Sequence, residues 1–251
     1  MLHERAANHT PSLYADDDAH RRWELARRDN TEITSILSFL DTLPDPALAG
    51  LRVLELACGS GRTTVPMAAA GHHVLATDIS IDVLSLLADR LKERRAIQSG
   101  AADRIELRQA DMVSFDIKES FKAVCLPMAS ITLLNPEQRR ATIRCAAAHM
   151  AIGGALIASI DQVLPAAAAT STIRLQPDTC LTEEIDHAGR RRRTILRCRD
   201  KEYISEHYLV TPEDLVNDLK DASLFLAAQR STPNPALPHH ISVILGAVNR
   251  R

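Results

Sequence analysis

The sequence predicts an α/β fold with a doubly wound, mostly parallel, seven-stranded sheet. Strand-like apolar runs and helical patterns alternate from residue 51 to residue 160, and such alternation calls for a parallel sheet covered on both faces. A segment of antiparallel character follows the fifth strand at residues 161–210. Two further strand patterns, near residues 225–231 and 240–248, complete the sheet.

Several elements have recognisable starts and ends. The third strand pattern alternates over residues 104–111 as a half-buried strand does. Asn135-Pro136-Glu137 and Thr211-Pro212-Glu213 each place a capping residue before a proline, which predicts a helix start. The first of these helices is expected to reach about Met150, and Gly153-Gly154 is the predicted turn into the fifth strand.

The chain divides into three predicted parts. Residues 1–49 form an N-terminal helical cap, and residues 50–160 together with 211–251 form the core. Residues 161–210 form an inserted antiparallel lid. The cap is predicted because residues 20–43 place apolar side chains among charges at helical spacing. In the lid, a hairpin is expected around the turn His187-Ala188-Gly189, followed by a third strand from Lys201 to Val210.

Composition is typical of a globular chain with one sizeable core. The chain has 251 residues, 45% of them hydrophobic. A net charge of −2 gives no general attraction to nucleic acid. Five cysteines without a Cys-x-x-Cys pair indicate reduced thiols and no zinc site. Neither an apolar run of roughly 20 residues nor a signal peptide is recognisable, so we expect a cytoplasmic protein without a membrane partner.

One segment is more informative than the rest of the chain. The apolar run from Val53 to Cys58 leads into Gly59-Ser60-Gly61, and a helical pattern follows. Such a turn lets the backbone pass close to a ligand, because neither glycine has a Cβ and both tolerate positive φ. Asp78 follows 17 residues after Gly61, where an acid can accept hydrogen bonds from both hydroxyls of a ribose. The pattern therefore predicts a site for an adenosine-type cofactor.

Details of this turn argue against two diphosphate-binding motifs. The nicotinamide dinucleotide fingerprint has a third glycine where this chain has Thr64. A P-loop requires Gly-Lys-Ser/Thr, whereas Gly61 is followed by Arg62-Thr63. The segment instead resembles motif I of the S-adenosylmethionine-dependent methyltransferases with a Rossmann-like fold, in which an acid precedes a Gly-x-Gly. Glu55, Gly59 and Gly61 stand in those places.

The resemblance implies S-adenosyl-L-methionine as the cofactor. No metal is expected, because no set of ligands surrounds His72 and His73 in the sequence. In that family an acid such as Asp111 accepts a hydrogen bond from the adenine amine, and its neighbour, here Met112, covers the ring. Tyr14 would face the cofactor, and packing of the N-terminal helices is its alternative role. The full set of implied cofactor-binding residues is Tyr14, Glu55, Ala57, Gly59, Gly61, Asp78, Ile79, Asp111, Met112 and Leu126.

The lid is expected at the carboxyl end of the main strands, above the cofactor. It resembles the lid of small-molecule methyltransferases, including N-methyltransferases of amino sugars or free amines. His207 is our first candidate for a catalytic group on the substrate side, and Tyr203 shares its strand face if the strand alternates. A structural or solvated role for His207 is the alternative.

These features predict methyl transfer to a small molecule or peptide natural product, with N-methylation of an amine favoured. An O-methyltransferase and a non-catalytic S-adenosylmethionine-binding regulatory module are the alternatives. Nucleic acid is not an expected partner, because residues 126–130 lack the Asn/Asp-Pro-Pro-aromatic motif and the chain has only eight aromatic residues. The run Arg190 to Arg193 is either a solvated face or a site for an anionic substrate or an acidic partner peptide. We expect a monomer or homodimer.

Overall fold

The structure is a computed structural model that describes residues 30–43, 50–92, 100–234, 237 and 239–249. Within these residues the chain divides into two compact units. The larger unit comprises the described residues up to Ala167 and from Tyr208 onward, and the smaller unit comprises Ala168–His207. No described helix is long and apolar enough to cross a membrane.

The secondary structure elements have the following bounds. The strands are β1 Arg52–Leu56, β2 His73–Asp78, β3 Ile105–Gln109, β4 Phe121–Leu126, β5 Met150–Val163, β6 Thr170–Gln176, β7 Thr179–Asp186, β8 Arg191–Cys198, β9 Lys201–Tyr208, β10 Phe225–Pro233 and β11 His240–Val248. The described α-helices are α1 Thr31–Leu40, α2 Thr64–Ala69, α3 Ile81–Leu91, α4 Pro136–Ala148 and α5 Pro212–Asp221. Short 3-10 turns lie at Ala102–Arg104 and Ser130–Leu133.

The larger unit is built on one sheet with the strand order β10-β11-β5-β4-β1-β2-β3. Strands β1 to β5 pair in parallel, and β11 is antiparallel to both β5 and β10. The predicted fold class, a doubly wound, mostly parallel, seven-stranded α/β sheet, is therefore confirmed. Because β1 to β5 all end on the same side, their last residues and the loops that follow form what we call the carboxyl edge.

Both faces of this sheet are covered by helices. Side chains of a strand point alternately to the two faces, so Val53 packs with α1, α2 and α3, whereas Leu54 packs with residues of α4 and α5. Helix α1 lies close against β11, since the ring of Phe39 occupies the space that a Cβ at Gly246 would need. The helix predicted within residues 20–43 is thus present over Thr31–Leu40, and the rest of that segment lies outside the described residues.

The two predicted helix starts are confirmed. The Asn135 side chain accepts hydrogen bonds from the backbone of Glu137 and Gln138, and Gln138 completes a capping box. Thr211 caps α5 in the same way with Asp214. Both helices have proline at their first position, where the missing N–H has no intrahelical acceptor in any case.

The predicted turn at Gly153-Gly154 was wrong. Strand β5 already begins at Met150, which pairs with Phe121, and the register with β4 then shifts before Ala155 pairs with Ala123. The two glycines lie inside the strand at this irregularity, where a Cβ at Gly154 would be 2.8 Å from the Ala151 carbonyl oxygen. The signal that suggested a turn therefore marks a β-bulge-like irregularity.

The smaller unit is a four-stranded antiparallel sheet in the order β6-β7-β8-β9. The predicted hairpin is present as β7 and β8, which pair from Thr179 with Cys198 to Asp186 with Arg191. Strand β6 was not predicted from the sequence, because its alternation is weak and it follows an alanine-rich stretch. It pairs along β7, where the hydroxyls of Thr172 and Thr182 are 2.9 Å apart.

The arginine run in this unit is not a uniformly solvated face. Arg192 is buried, and its Nη1 lies 3.5 Å from Oε1 of the buried Glu183. Its neighbour Arg193 is exposed and lies 3.3 Å from Glu184. The alternation of a strand explains the difference, because residues 192 and 193 point to opposite faces of the sheet.

Candidate functional site

The turn after β1 has an unusual backbone. Ala57, Gly59 and Gly61 have φ angles of 55°, 55° and 87°, so every second residue is in the left-handed region. Such residues are uncommon without glycine and concentrate at ligand sites. The turn is held to the sheet by a hydrogen bond from the Cys58 backbone N–H to the Thr77 carbonyl, at 2.9 Å.

The two glycines of the turn serve different purposes. A Cβ at Gly61 would lie 2.2 Å from Cδ1 of Leu87, so this glycine is needed for the packing of α3 against the turn. A Cβ at Gly59 would meet no atom within 4 Å. Both glycines are predicted to allow a close approach of ligand to backbone. The open space at Gly59 is compatible with this prediction, and Gly61 has in addition a packing role within the protein.

Glu55 is fully buried in β1, shortly before the turn that contains Gly59. Its Oε2 accepts a hydrogen bond of 2.6 Å from the Thr64 hydroxyl, while Oε1 is buried and takes no hydrogen bond from the described part of the chain. Burial raises the pKa of Glu55 to about 8; the Thr64 hydroxyl opposes this shift, and the nearby Asp78 charge adds to it. A cation brought by a ligand would satisfy this carboxyl.

Asp78 ends β2 beside the turn. Its Oδ2 accepts from the Gly59 backbone N–H at 2.9 Å, and its Oδ1 accepts from the Ser80 N–H at 3.0 Å. Each carboxylate oxygen has two acceptor positions, so both can also accept from a ribose hydroxyl. Asp78 also fixes Gly59 in the turn, a structural role that the sequence did not indicate.

The residues implied for adenine lie near the ends of β2 and β3. Ile79 is 64% exposed directly after Asp78, which is unusual for a large apolar side chain and leaves its face open to a ring. Asp111 lies beyond the end of β3, where its Oδ1 accepts from the Val113 N–H at 2.9 Å. Met112 is partly buried against the core. Leu126 is fully buried in the core, so only the backbone at that position could face a ligand.

The loop after β4 contains two consecutive left-handed residues, Met128 and Ala129, both with a φ of 57°. Neither is glycine, and each such residue costs ~1–3 kcal/mol. The loop is at the carboxyl edge, beside the turn after β1, because β4 and β1 are neighbours in the sheet. No sequence pattern predicted this conformation.

Glu32 and Ser159 hold this loop. Oε1 of Glu32, in the first turn of α1, accepts from the Met128 N–H at 2.5 Å and from the Ser159 hydroxyl at 2.6 Å. The same hydroxyl accepts from the Ala129 N–H at 2.9 Å. Hydrogen bonds to a charged group contribute ~1.5–3 kcal/mol each, which is comparable with the cost of the two left-handed residues.

A buried histidine and aspartate lie farther along the same edge. His240, at the start of β11, has Nδ1 3.1 Å from Oδ2 of Asp161 near the end of β5. Both side chains are almost completely buried. Ser159 and Asp161 are two residues apart in β5 and thus share a face. Sequence reasoning missed this pair, because its members are 79 positions apart and belong to no recognisable motif.

The predicted catalytic residues lie in the smaller unit. His207 is half-buried, and its Nε2 is 2.9 Å from the Ser205 hydroxyl. Tyr203, four residues earlier in β9, is 2% exposed. Tyr14 lies outside the described residues.

The comparison with protein families identifies the domain that contains the turn. Residues 53–154 match the family model described as a methyltransferase domain. The turn after β1, Glu55 and Asp78 all fall inside that range. This part of the chain is a methyltransferase domain of the S-adenosylmethionine-dependent class. The predicted resemblance, enzyme class and cofactor of the domain are thereby confirmed.

One curated relative of the methyltransferase domain is the magnesium-protoporphyrin O-methyltransferase of Rhodobacter capsulatus. It is 35% identical over 77 residues, which make up 31% of this chain and 33% of that protein. The match thus spans about a third of the length of this relative.

Solved methyltransferases share the architecture over much more of the chain. The glycopeptide N-methyltransferase MtfA is 25% identical with a TM-score of 0.65, and the match covers 88% of this chain and 90% of that one. The sugar N-methyltransferase KedS8 from Streptoalloteichus is 16% identical with a TM-score of 0.66, and the match covers 100% and 99%. MtfA has also been solved with S-adenosylmethionine bound.

The residues of the methyltransferase domain fit this cofactor. The buried Oε1 of Glu55 lacks a hydrogen bond within the described residues, and S-adenosylmethionine carries positive charge. The space at the Gly59 Cβ position is open to a backbone-bound ligand. Burial raises the pKa of the Cys58 thiol and of the Cys125 thiol, so neither is a reactive thiolate near neutral pH.

Proposed function

We propose that this protein transfers a methyl group from S-adenosylmethionine to an amine of a small-molecule or peptide natural product. The observation that carries the proposal is the likeness to the glycopeptide N-methyltransferase MtfA, which extends over 88% of this chain, well beyond the methyltransferase domain. The substrate side of such an enzyme would be formed by the parts outside residues 53–154. The proposal includes a cytoplasmic location, which agrees with five cysteines that are all unpaired thiols.

The chain's contribution is mainly positioning. When bound, S-adenosylmethionine supplies an activated methyl group on a sulfonium centre. Glu55 would face its positive charge, Asp78 would accept from the ribose hydroxyls, and Ile79, Asp111 and Met112 would hold the adenine. Holding the acceptor nitrogen in line with the methyl group can supply much of the rate, since effective molarities reach ~10⁵–10⁸ M in the best cases.

We further propose that residues 1–49 and the insertion at 161–210 act as cap and lid on the acceptor. The support is the position of the insertion, which follows β5 on the side where parallel strands end. His207 would then act as base or hydrogen-bond partner toward the acceptor, with Tyr203 nearby on the same strand. An amine loses one proton in the transfer, and a histidine can take up that proton near neutral pH.

The direct test of the function is an incubation of the protein with methyl-labelled S-adenosylmethionine and a panel of acceptors. The panel contains amino sugars, free amines, glycopeptides with a free amino terminus, and phenols, and mass spectrometry reads the products. We expect label on nitrogen in at least one amine. Label on phenol oxygens alone would contradict N-methylation, and cofactor binding without any product would favour the regulatory alternative.

His207→Ala tests the assignment of the base. We expect turnover to fall by ~10²–10⁴ if the imidazole takes the proton, with cofactor affinity within a few-fold of the parent protein. Tyr203→Phe, which keeps the ring in its buried position, tests whether the hydroxyl contributes. If His207→Ala retains full activity on the amine, the proton is taken elsewhere and the assignment fails.

O-methylation is the second candidate. It is favoured by the 35% identity over 77 residues to the O-methyltransferase of Rhodobacter capsulatus. A hydroxyl must lose its proton for attack, so activity would then depend strictly on a base. An amine needs only to be unprotonated, so its rate would rise with pH even in His207→Ala. The atom that carries the methyl label in the product, nitrogen or oxygen, distinguishes the two candidates.

A further inference from the structure

The loop after β4 and helix α1 are joined by a compact polar contact at the carboxyl edge. Glu32 Oε1 accepts from the Met128 N–H and from Ser159 Oγ, and Ser159 Oγ accepts from the Ala129 N–H. One carboxylate oxygen and one hydroxyl thus fix both left-handed residues of the loop. We call these four residues the Glu32 clasp.

Two hydroxyls of the same loop make local hydrogen bonds. The Ser130 hydroxyl donates to the Pro127 carbonyl at 2.6 Å, and the Thr132 hydroxyl donates to the Ala129 carbonyl at 2.7 Å. These bonds shape the loop but join it only to itself. The clasp, in contrast, joins it to β5 through Ser159 and to α1 through Glu32. The clasp therefore connects the loop to α1 as well as to the sheet.

We propose that Glu32 is a positioning residue that acts through the Met128-Ala129 loop on the alignment of the methyl acceptor. This rests on the proposed function. The loop is beside the turn that contains Gly59, since β4 is the neighbour of β1, so a shift of the loop changes the space in front of the cofactor. The three hydrogen bonds of the clasp do not involve the predicted cofactor residues Glu55, Gly59 and Asp78. Loss of the clasp should thus affect transfer more than cofactor binding.

Three variants separate position from charge. Glu32→Gln keeps the oxygen that accepts both hydrogen bonds but loses the charge, whereas Glu32→Ala loses both. We expect Glu32→Ala to lower kcat by about 10-fold to 100-fold, as a displacement of ~1 Å can cost that much, with the Kd for S-adenosylmethionine within about 3-fold of the parent. Glu32→Gln should restore kcat to within about 3-fold. Glu137→Ala, an exposed acid in the first turn of α4, is the matched control and should change neither value.

A second readout does not require a known acceptor. Hydrogen exchange of the peptide over residues 127–131 should be at least 10-fold faster in Glu32→Ala and in Ser159→Ala. The exchange rate should be unchanged in Glu32→Gln and Glu137→Ala. In the double variant that combines Glu32→Ala and Ser159→Ala, exchange should be no faster than in either single variant, since both substitutions act through one contact. Unchanged exchange in Glu32→Ala would overturn the proposal, whatever the substrate is. Loss of kcat in Glu32→Gln equal to that in Glu32→Ala would also overturn it, because the charge would then act directly.

If no amine is methylated, the proposed function fails while the exchange data still decide the clasp. If exchange behaves as expected but kcat in Glu32→Ala equals that of the parent, the clasp exists and its role in alignment is wrong. Ser159→Thr, which keeps the hydroxyl, should behave as the parent in exchange. These outcomes keep the two proposals distinguishable.

Discussion

Two buried glutamates, one in each unit of the molecule, differ in the groups that contact their carboxyl oxygens. Glu183, in the smaller unit, lies 3.5 Å from the buried guanidinium of Arg192. Glu55, in the larger unit, has the neutral hydroxyl of Thr64 on one oxygen, and its other oxygen takes no hydrogen bond within the described residues. Both are almost completely inaccessible to solvent.

The difference separates a structural acid from a binding acid. A buried carboxylate beside an arginine is compensated within the protein, and its environment needs nothing more. A buried carboxyl without a cation has a raised pKa, as Glu55 does, and such groups concentrate at functional sites. The comparison thus points to the edge of the larger unit as the place where a cationic ligand completes the structure.

The largest expected effect is on the compensated pair. Arg192→Met should lower the free energy of unfolding by ~3–5 kcal/mol, because it leaves the Glu183 carboxylate buried without its arginine. The neighbouring pair is a matched control, because Arg193 and Glu184 lie 3.3 Å apart and both side chains are more than 40% exposed. Arg193→Met should therefore lower the free energy of unfolding by only ~0–1 kcal/mol. Urea unfolding followed by circular dichroism measures both. Equal losses in the two variants would mean that burial does not distinguish the two pairs.

The next effect concerns Asp78, the acid that fixes the turn beside Glu55. Asp78→Ala should weaken binding of S-adenosylmethionine by ~1.5–3 kcal/mol for each hydrogen bond that the carboxylate makes to the ligand. It should weaken it further because the Gly59 N–H loses its acceptor. Calorimetry gives the affinity, and the melting temperature without ligand shows that the variant folds. Unchanged affinity would mean that the ribose is held elsewhere.

Much of the larger unit could be predicted from the sequence because its signals are local. Alternating strand and helix patterns, and capping residues followed by proline at 135–137 and 211–213, each act within one element. The irregularity at Gly153-Gly154, and strand β6 in the smaller unit, were not predicted, because both depend on pairing with a neighbouring strand. Pairing partners are distant in sequence and leave only weak alternation behind.

The candidate site likewise contains residues in a local sequence motif and residues that are distant in sequence. Glu55, Gly59 and Asp78 could be proposed as site residues from the sequence because a ligand-binding turn has a short motif. The Glu32 clasp joins residues up to 127 positions apart, and the His240–Asp161 pair joins residues 79 apart, so only the fold brings them together. The packing role of Gly61 could not be predicted for the same reason, since its neighbour Leu87 belongs to α3.

The two glycines of the turn offer a smaller and sharper test. Gly61→Ala should cost ~1–3 kcal/mol of stability, because its Cβ would overlap Leu87 in a packed core. Gly59→Ala has open space, so only the left-handed φ of 55° opposes it, at ~1–2 kcal/mol. Its main effect should instead be weaker cofactor binding. Thermal unfolding without ligand and calorimetry with S-adenosylmethionine measure the two effects separately. Normal cofactor affinity in Gly59→Ala would show that the open space is not where the ligand lies.

The smallest expected effect, counted per pH unit, is the contribution of Glu55 to the pH dependence of stability. Its pKa is about 8 in the folded chain, against 4.5 for an ordinary glutamate. The folded state therefore holds a proton that the unfolded state has lost between these values. The contribution to stability is complete below about pH 4.5 and falls as pH rises toward 8, by up to ~1.4 kcal/mol per pH unit.

Glu55→Gln removes this titration, so the difference in unfolding free energy between the parent and the variant should change with pH over this window. The bound cofactor should reverse the preference, because a cation beside Glu55 favours the carboxylate. Binding of S-adenosylmethionine to the parent at pH 7 should then release close to one proton, and its affinity should rise toward pH 8. Calorimetry in two buffers with different ionisation enthalpies counts that proton, and Glu55→Gln should release none from this site. If parent and variant release the same number, Glu55 does not face the positive charge of the cofactor, and its burial without a cation requires another explanation.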